Sequence, residues 1–415
     1  MNRVILSVLL IVFIQGSVLA QKKDTTNYNY PANQYDIKEL LRDIFKSKKN
    51  RLLDSQVVVK SKDDFAISIL PGIAYNPATD IVVGVSATAS WYMGSSKTTN
   101  NSKANAGVSF TTKKQIKISL QSEIYSEKNI WNLSGDWRFW KYVQDTYGLG
   151  TESSYSEGQN MNFNYIRFNE SLSRKVVKNL YAGLGYSLLA YNKIESAYPD
   201  SNTIIYPSYN STYSIENGID SVSYVASGFF LATSFDSRDN TINPYKGVFA
   251  EAQYFNYNKT LGSTTNWQVF NYQIRHYQSW LKSNKFITAV WFLGSTAVNG
   301  NIPYMDLYSN GWDKYGATGR GYVQGRYRGR DFLYFEIENR VTITKNRFFG
   351  MVFFLNAMTA TNPENGVGLF DYIAPAGGVG LRFLFDKESR TNLSLDFGLG
   401  VEGSRGLFLN IGEFF

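Results

Sequence analysis

The chain has no cysteine, one histidine and only nine prolines among its 415 residues. Without cysteine it has no disulfide bridges and no thiolate metal sites, and a single histidine cannot build a histidine metal cluster. Blocks rich in leucine, alanine, glutamate and lysine are also missing, whereas tyrosine, glycine, asparagine and serine occur throughout. The composition therefore indicates an all-β chain, and it predicts no metal and no cofactor.

A dense basic patch is absent as well, although the formal net charge is +8. Lysine and arginine are scattered along the chain and do not form a basic helix, which argues against nucleic acid as a partner. Scattered cations suit the anionic headgroups of membrane lipids, including lipopolysaccharide, at least as well. We therefore expect lipid and not nucleic acid to meet this charge.

The N-terminal apolar run, residues 4–14, is too short to span a bilayer as a helix. Arg3 precedes this run and the small residue Ala20 ends it, which is the pattern of a signal peptide over residues 1–20. Export then leaves a short periplasmic leader over residues 21–66. Apolar residues at helical spacing predict one amphipathic helix at about residues 35–49. This helix either docks against the periplasmic mouth of the following domain or is a frayed linker.

From about residue 65 onward, apolar and polar residues alternate with period two. In residues 391–402, for example, Leu395 and Phe397 alternate with Ser394 and Asp396. Alternation alone fits a β-sandwich too. Three features favour a transmembrane barrel instead. Many segments are about ten residues long, aromatic residues lie near the segment ends, and short connections alternate with long ones.

Counting these segments predicts one antiparallel barrel of 16 strands over residues 67–415, an even number as bacterial barrels require. With a periplasmic N-terminus, the long connections at about 141–160, 193–221 and 299–330 are extracellular, and the connection at 236–246 is periplasmic. The predicted strands are 67–76, 81–93, 104–112, 115–125, 129–140, 161–174, 179–192, 222–235, 247–258, 265–280, 284–298, 331–344, 348–360, 374–386, 391–402 and 406–415.

Residues 316–343 begin as a glycine- and arginine-rich loop and continue as a strand with two distinct faces. Such a loop suits a position folded back into a polar barrel lumen. On the strand that follows, Glu336 and Glu338 occupy alternate positions whose side chains are predicted to face the lumen. The Arg320 guanidinium needs carboxylate or carbonyl partners when it leaves bulk water. We therefore predict that Arg320 pairs with Glu338 and holds the loop inside. The alternative is a solvated surface arginine.

A second candidate site is the connection that contains Asp236, Arg238, Asp239, Pro244 and Gly247. Aspartate caps backbone N–H groups, proline fixes φ and glycine permits a positive φ, so this set reads as a fixed periplasmic turn. A cation site is the alternative.

Six motifs occur in order along the chain: Asp236-Ser237-Arg238-Asp239-Asn240 with Pro244 and Gly247, Leu261-Gly262-Ser263, Gly319-Arg320-Gly321-Tyr322, Glu338-Asn339-Arg340, residues 378–382, and residues 410–415. Together they resemble the BamA/TamA-type outer-membrane barrel superfamily, specifically its bacterial surface-antigen barrels. The resemblance implies an inward loop carrying Arg320, Gly321 and Tyr322, and a C-terminal signal with Gly412 and Phe415 that the assembly machinery reads.

The sequence also departs from this family. Gly319 stands where the family has valine or isoleucine, and Asn356 stands where relatives carry an aspartate that helps to hold the loop arginine, so one acidic partner is expected to be missing. The 45 or so residues of the leader are too few for a POTRA domain with its own core, which resembles barrel-only members.

Two functions follow as expectations. By resemblance, the barrel assists insertion or translocation of unidentified client proteins at a weak seam between its first and last strands, where Gly406 and Gly412 weaken the closing strand. The alternative is a passive pore or structural surface barrel plugged by its own loop. An enzyme is not expected, because the sole histidine, His276, has lipid-facing parity and no nucleophile–base pair is evident. The expected location is the Gram-negative outer membrane.

Overall fold

A computed structural model describes residues 34–37, 39, 40, 43, 65–198, 203–387 and 389–415. The predicted signal peptide lies outside these residues, as does most of the predicted leader helix. None of the helices in the described part of the chain is long and apolar enough to cross a membrane.

Sixteen antiparallel strands form a closed barrel, in which each strand pairs with its neighbours in the chain and β1 meets β18. The predicted all-β fold and strand number are thereby confirmed. The strands are β1 (Ala66–Asn76), β2 (Asp80–Trp91), β3 (Ser102–Thr111), β4 (Ile116–Tyr125), β5 (Trp131–Thr146), β6 (Gln159–Val177), β7 (Leu180–Ala197), β8 (Tyr224–Asp236), β9 (Gly247–Tyr257), β10 (Trp267–Ser279), β11 (Phe286–Gly300), β14 (Asp331–Thr342), β15 (Phe349–Ala360), β16 (Ala374–Asp386), β17 (Thr391–Leu399) and β18 (Arg405–Ile411).

The alternation in sequence becomes an outer apolar surface and an inner polar one. On β2, Ile81, Val83 and Val85 point outward and are about half exposed. On β17, Ser394 and Asp396 point inward and are fully buried. An outward apolar band is what lipid requires of a spanning barrel, since closure pairs the backbone groups within the wall.

Connections differ in length on the two sides of the barrel. Short turns lie on the side of the N- and C-termini, which is the periplasmic side of such barrels. The long extracellular connections are residues 147–158, 198–223, 301–330 and 361–373. They contain the helix Tyr209–Glu216, the two-stranded sheet of β12 (Tyr308–Ser309) and β13 (Arg328–Gly329), and the 3-10 turns Tyr155–Glu157, Tyr304–Asp306 and Pro363–Asn365. Two further 3-10 turns are Lys259–Leu261, in the shorter extracellular connection between β9 and β10, and Glu127–Asn129, on the periplasmic side.

The two ends of the wall meet weakly. Between β1 and β18, Tyr75 with Leu409 is the single registered residue pair. By comparison, β17 and β18 are in register from Leu393 to Leu399. Fewer registered pairs mean fewer backbone hydrogen bonds across the join, so this seam is the least tightly paired line in the described wall.

The last strand is shorter than predicted. The expectation that it continues to residue 415 is wrong, because β18 ends at Ile411 and the chain bends into the lumen. Gly412 has φ +121°, a conformation that a side chain would strain, and its N–H still donates to the Asn392 carbonyl at 2.7 Å. The bend therefore moves residues 412–415 from the wall to the interior.

The described leader residues contact the periplasmic rim. Ile37, Glu39, Leu40 and Asp43 are helical, and Tyr35 N–H donates to the Asn346 carbonyl at 3.1 Å. Lys387 Nζ lies 2.5 Å from Glu39 Oε1.

Candidate functional site: a loop held in the lumen

Residues 301–330, which connect β11 to β14, lie inside the barrel. Arg320, Arg326 and Arg328 are each no more than 1% exposed, although they belong to a connection. A buried guanidinium is costly unless its charge and its donors are matched. The partners of these three arginines therefore explain why the loop stays inside.

Arg320 lies among three carboxylates. Its Nη1 is 2.6 Å from Asp396 Oδ2 and its Nη2 is 2.5 Å from Glu338 Oε2, while Glu336 also accepts from Nη2. The predicted partners Glu336 and Glu338 are thus brought to Arg320. Asp396 on β17 is a third partner of Arg320, which the sequence did not predict as a partner.

Two further arginines extend this cluster toward the periplasm. Arg340 Nε lies 2.7 Å from Glu338 Oε1. Arg382 donates to both oxygens of Asp396 and, through Nε, to Glu413 at 2.7 Å. We call this set the arginine network: Arg320, Arg340, Arg382, Glu336, Glu338, Asp396 and Glu413.

The arginine network is close to charge balance, with three guanidinium groups facing four carboxylates. Removing one member of a buried ion pair typically costs 3–5 kcal/mol, because a charge is left without a partner. Two aromatic rings also cover the Arg320 guanidinium, with centroids 3.8 Å (Phe354) and 4.6 Å (Phe414) from its central carbon.

The residues around Arg320 fix the loop backbone. Gly321 has φ +105°, and a Cβ there would meet the Ala376 Cβ at 2.9 Å, so only glycine allows this close approach. Tyr322 Oη donates to the Pro375 carbonyl at 2.6 Å. Asn356 Nδ2 donates to the Arg320 carbonyl at 2.9 Å, so its amide holds the backbone while Asp396 supplies a carboxylate.

The extracellular part of the loop is held by a different kind of contact. Arg328 donates to the carbonyls of Tyr304 and Leu307 at 2.8 and 3.0 Å. Around these residues, the inner face of β5–β10 is aromatic, not polar as expected. The aromatic residues that line this region are Tyr142, Phe163, Tyr165, Tyr191, Tyr224, Phe230, Phe255, Tyr257, Trp267 and Tyr304.

One loop carboxyl is buried beside these rings. Burial raises the pKa of Asp306 from 3.8 to about 7, although Arg167 pulls it in the opposite direction. The unfolded chain ionises this group near its ordinary value, so the folded protein binds more protons between about pH 4 and pH 7. Stability from this group therefore falls as the pH rises through that window.

We expect Asp306→Asn to stabilise the protein at pH 8 and to lose most of this advantage at pH 5, where Asp306 is neutral in the folded state. At about 1.4 kcal/mol per pH unit, the change between pH 5 and pH 7 is at most about 3 kcal/mol. Urea unfolding of the two proteins in detergent at both pH values measures it. An advantage that is the same at both values contradicts the expectation.

The predicted periplasmic turn is tied together by its aspartates. Asp236 accepts from Arg238 through its backbone N–H at 3.0 Å and through Nη2 at 2.7 Å. Asp239 Oδ1 accepts from Tyr245 N–H, the residue after Pro244, at 2.9 Å, and Gly247 begins β9.

This turn also contacts a turn from the opposite side of the periplasmic rim. Arg390, in the turn between β16 and β17, lies 2.9 Å from the other Asp239 oxygen and 4.1 Å above the Tyr245 ring. Arg390 was not singled out from the sequence. It spans the rim because two turns 151 residues apart meet at the mouth of the barrel.

Phe415 occupies the lumen. It is 4% exposed and packs on Trp291 and Tyr277 at centroid distances of 5.2 and 6.3 Å. Its carbonyl accepts from Arg340 Nη2 at 2.5 Å. The C-terminus is therefore joined to the arginine network. His276 lies on the outer face, as its parity indicated.

Three solved outer-membrane proteins have this barrel. BamA from Haemophilus ducreyi lacking POTRA domains 1–3 matches with a TM-score of 0.57 and 14% identity, over 85% of this chain and 71% of that chain. CdiB from Acinetobacter baumannii matches with a TM-score of 0.51 and 13% identity, over 85% of this chain and 66% of that chain. CdiB from Escherichia coli matches with a TM-score of 0.53 and 8% identity, over 85% of this chain and 68% of that chain. No protein-family model and no curated protein matches the chain.

The resemblance drawn from the motifs is thus confirmed at the level of the fold. The chain has the barrel fold seen in BamA and CdiB.

Proposed function

We propose that this barrel assists the insertion or translocation of client proteins at the outer membrane, and that it does so at the seam between β1 and β18. The observation that carries the proposal is the single registered pair, Tyr75 with Leu409, at this join. A strand edge with unpaired donors and acceptors is a template for another strand. The inward bend after Ile411 supports this reading because it withdraws the end of the closing strand from the wall.

The proposal predicts that a covalent seam abolishes the activity. The chain has no cysteine, so Tyr75→Cys with Leu409→Cys gives a protein with one possible disulfide. In liposomes, the wild-type protein and the reduced variant are expected to accelerate insertion of a second, small barrel severalfold over protein-free vesicles. The oxidised variant is expected to fall to the protein-free rate. Heat-dependent migration of the client on a gel measures its insertion.

The matched control is Val85→Cys with Val108→Cys, a registered pair between β2 and β3 that does not cross the join. Its oxidised form should insert the client as fast as wild type does. If the oxidised seam variant also remains as fast as wild type, opening of the seam is not the mechanism. If wild type gives no acceleration, the assembly function itself fails.

A second candidate is a passive pore plugged by the loop of residues 301–330. The observation that favours it is a cavity of about 770 Å³ within the lumen. Conductance in planar bilayers, low in wild type and higher once the loop is released, distinguishes this candidate from the first.

A further inference from the structure

The lumenal cavity opens toward the periplasmic turns and ends beneath the inward loop. Its lining includes Thr98, Asn129 and Asn179, which belong to three different turns on the periplasmic side. Its other end is closed by Met305 and Trp312 of the loop. A volume of about 770 Å³ is in the range of pockets that hold small ligands.

The strand register divides this cavity into two zones. On β10, Trp267 and Val269 face Tyr257 and Phe255 of β9, and they form an aromatic end near the extracellular side. Further along the same strands, the inward residues become polar, and Asn271 pairs with Gln253. A ligand entering from the periplasm therefore passes polar walls before it reaches aromatic rings.

Among the residues that the structure describes, several buried polar atoms in the cavity wall have no hydrogen-bond partner. Trp267 is 3% exposed and its Nε1–H makes no hydrogen bond, and the Asn271 Oδ1 also accepts none. Buried polar atoms without partners are rare in folded proteins and call for an explanation such as a ligand. Tyr315 is 61% exposed although it lies in the lumen, and its ring has Arg275 and Lys314 at 5.6 and 5.8 Å from its centroid, so part of one large aromatic side chain remains open to the cavity.

The two signs of charge are nearly balanced in the cavity wall, with eight lysines and arginines and seven aspartates and glutamates among its lining residues. Asp136 lies 2.9 Å from Arg138 Nε and 3.3 Å from Arg167 Nη1. Glu251 accepts from Gln273 Nε2 at 2.9 Å. A strongly charged polymer would therefore find little excess charge of either sign to neutralise it.

The wall also offers no backbone to a polypeptide. The strands β8, β9 and β10 pair with both neighbours along most of their length, with one irregularity between Gln268 and Val269, so most of their N–H and C=O groups are used within the sheet. An extended peptide binds a sheet chiefly by adding a strand to an open edge. Such an edge is at the seam and not in this cavity.

We propose that the cavity binds a neutral oligosaccharide. Sugar rings carry apolar C–H faces that pack on aromatic side chains, and hydroxyl groups that both donate and accept hydrogen bonds. Tyr315 supplies the aromatic face, Trp267 Nε1 a donor and Asn271 Oδ1 an acceptor. The proposal is independent of whether the seam acts on client proteins.

Titration calorimetry on the purified full chain tests this proposal. The detergent must have no sugar headgroup, and the probes are maltotriose, cellotriose and N-acetylchitotriose. At least one trisaccharide is expected to bind saturably, and Tyr315→Ala is expected to weaken it by about tenfold or more. Trp267→Phe keeps an aromatic ring, although a smaller one, removes the N–H donor and should weaken binding by a smaller factor.

The control is Tyr206→Ala, which alters a 73%-exposed tyrosine in an extracellular loop and should leave the affinity unchanged. Circular dichroism of every variant shows that the barrel is folded. If none of the three sugars binds, or if binding is the same in Tyr315→Ala, the proposal is overturned. It is also overturned if a neutral serine- and asparagine-rich peptide binds in a Tyr315-dependent manner while the sugars do not.

Discussion

Replacement of Arg320 by alanine is expected to release the inward loop and to destabilise the folded barrel by about 3–5 kcal/mol, the usual cost of removing one member of a buried ion pair. Asp396 would still have Arg382 and Glu338 would still have Arg340. Glu336, in contrast, would keep only the Tyr334 hydroxyl as a partner. The uncompensated charge of Glu336 therefore accounts for much of the loss.

Three measurements detect the release of the loop. The urea midpoint in detergent should fall, trypsin should cleave within residues 301–330 of vesicle-embedded protein, and the planar-bilayer conductance should rise. The double variant Arg320→Ala with Glu336→Gln removes the stranded charge and should recover part of the stability but not the closed loop.

Arg330→Ala is the matched control, since Arg330 ends the same loop and donates only a long hydrogen bond, 3.4 Å, to the Gly300 carbonyl. Its conductance and cleavage pattern should match those of wild type. If Arg320→Ala behaves like Arg330→Ala in all three measurements, the arginine network does not hold the loop.

The contacts that sequence reasoning found are those set by local parity. Glu336 and Glu338 follow Arg320 closely, and period two alone places both carboxylates on the inner face. Asp396 has the same inner parity, which its segment shows plainly. Which inward carboxylate meets Arg320 depends on how the barrel wall curves. Arg320 and Asp396 are 76 positions apart in the sequence, and the period-two pattern gives no information about how close such distant residues come in space.

The aromatic zone was missed for a related reason. On β6, Arg167 shares its inner face with Tyr165 and Phe163, while Asn164 and Asn162 lie on the outer face. Alternation is unbroken, but polar residues now point outward. An asparagine is costly against lipid, so this inversion marks the point where the strand leaves the bilayer. Strands β5, β6 and β7 accordingly extend beyond their predicted ends, and their upper inner faces pack against the loop.

The same limitation affects the end of the chain. Leu407, Leu409 and Ile411 alternate with their neighbours, and Phe415 shares their parity, so a strand to the terminus was predicted although Glu413 interrupts the apolar series. The positive φ at Gly412 interrupts it, and the preference of one aromatic ring for lipid or for Trp291 is a matter of tertiary packing.

Phe415→Ala is therefore expected to act on the folded barrel as well as on biogenesis. Loss of a buried phenylalanine typically costs about 3–5 kcal/mol. If Phe415 serves only as a signal for the assembly machinery, the purified variant refolded in detergent should be as stable as wild type. We expect it instead to unfold at a lower urea concentration, because the ring supports Trp291 and holds the carbonyl that Arg340 binds. Ile411→Ala, at the 37%-exposed last residue of β18, is the control and should change the midpoint little. Equal midpoints for wild type and Phe415→Ala, together with reduced amounts of the variant in cells, would assign Phe415 to recognition alone.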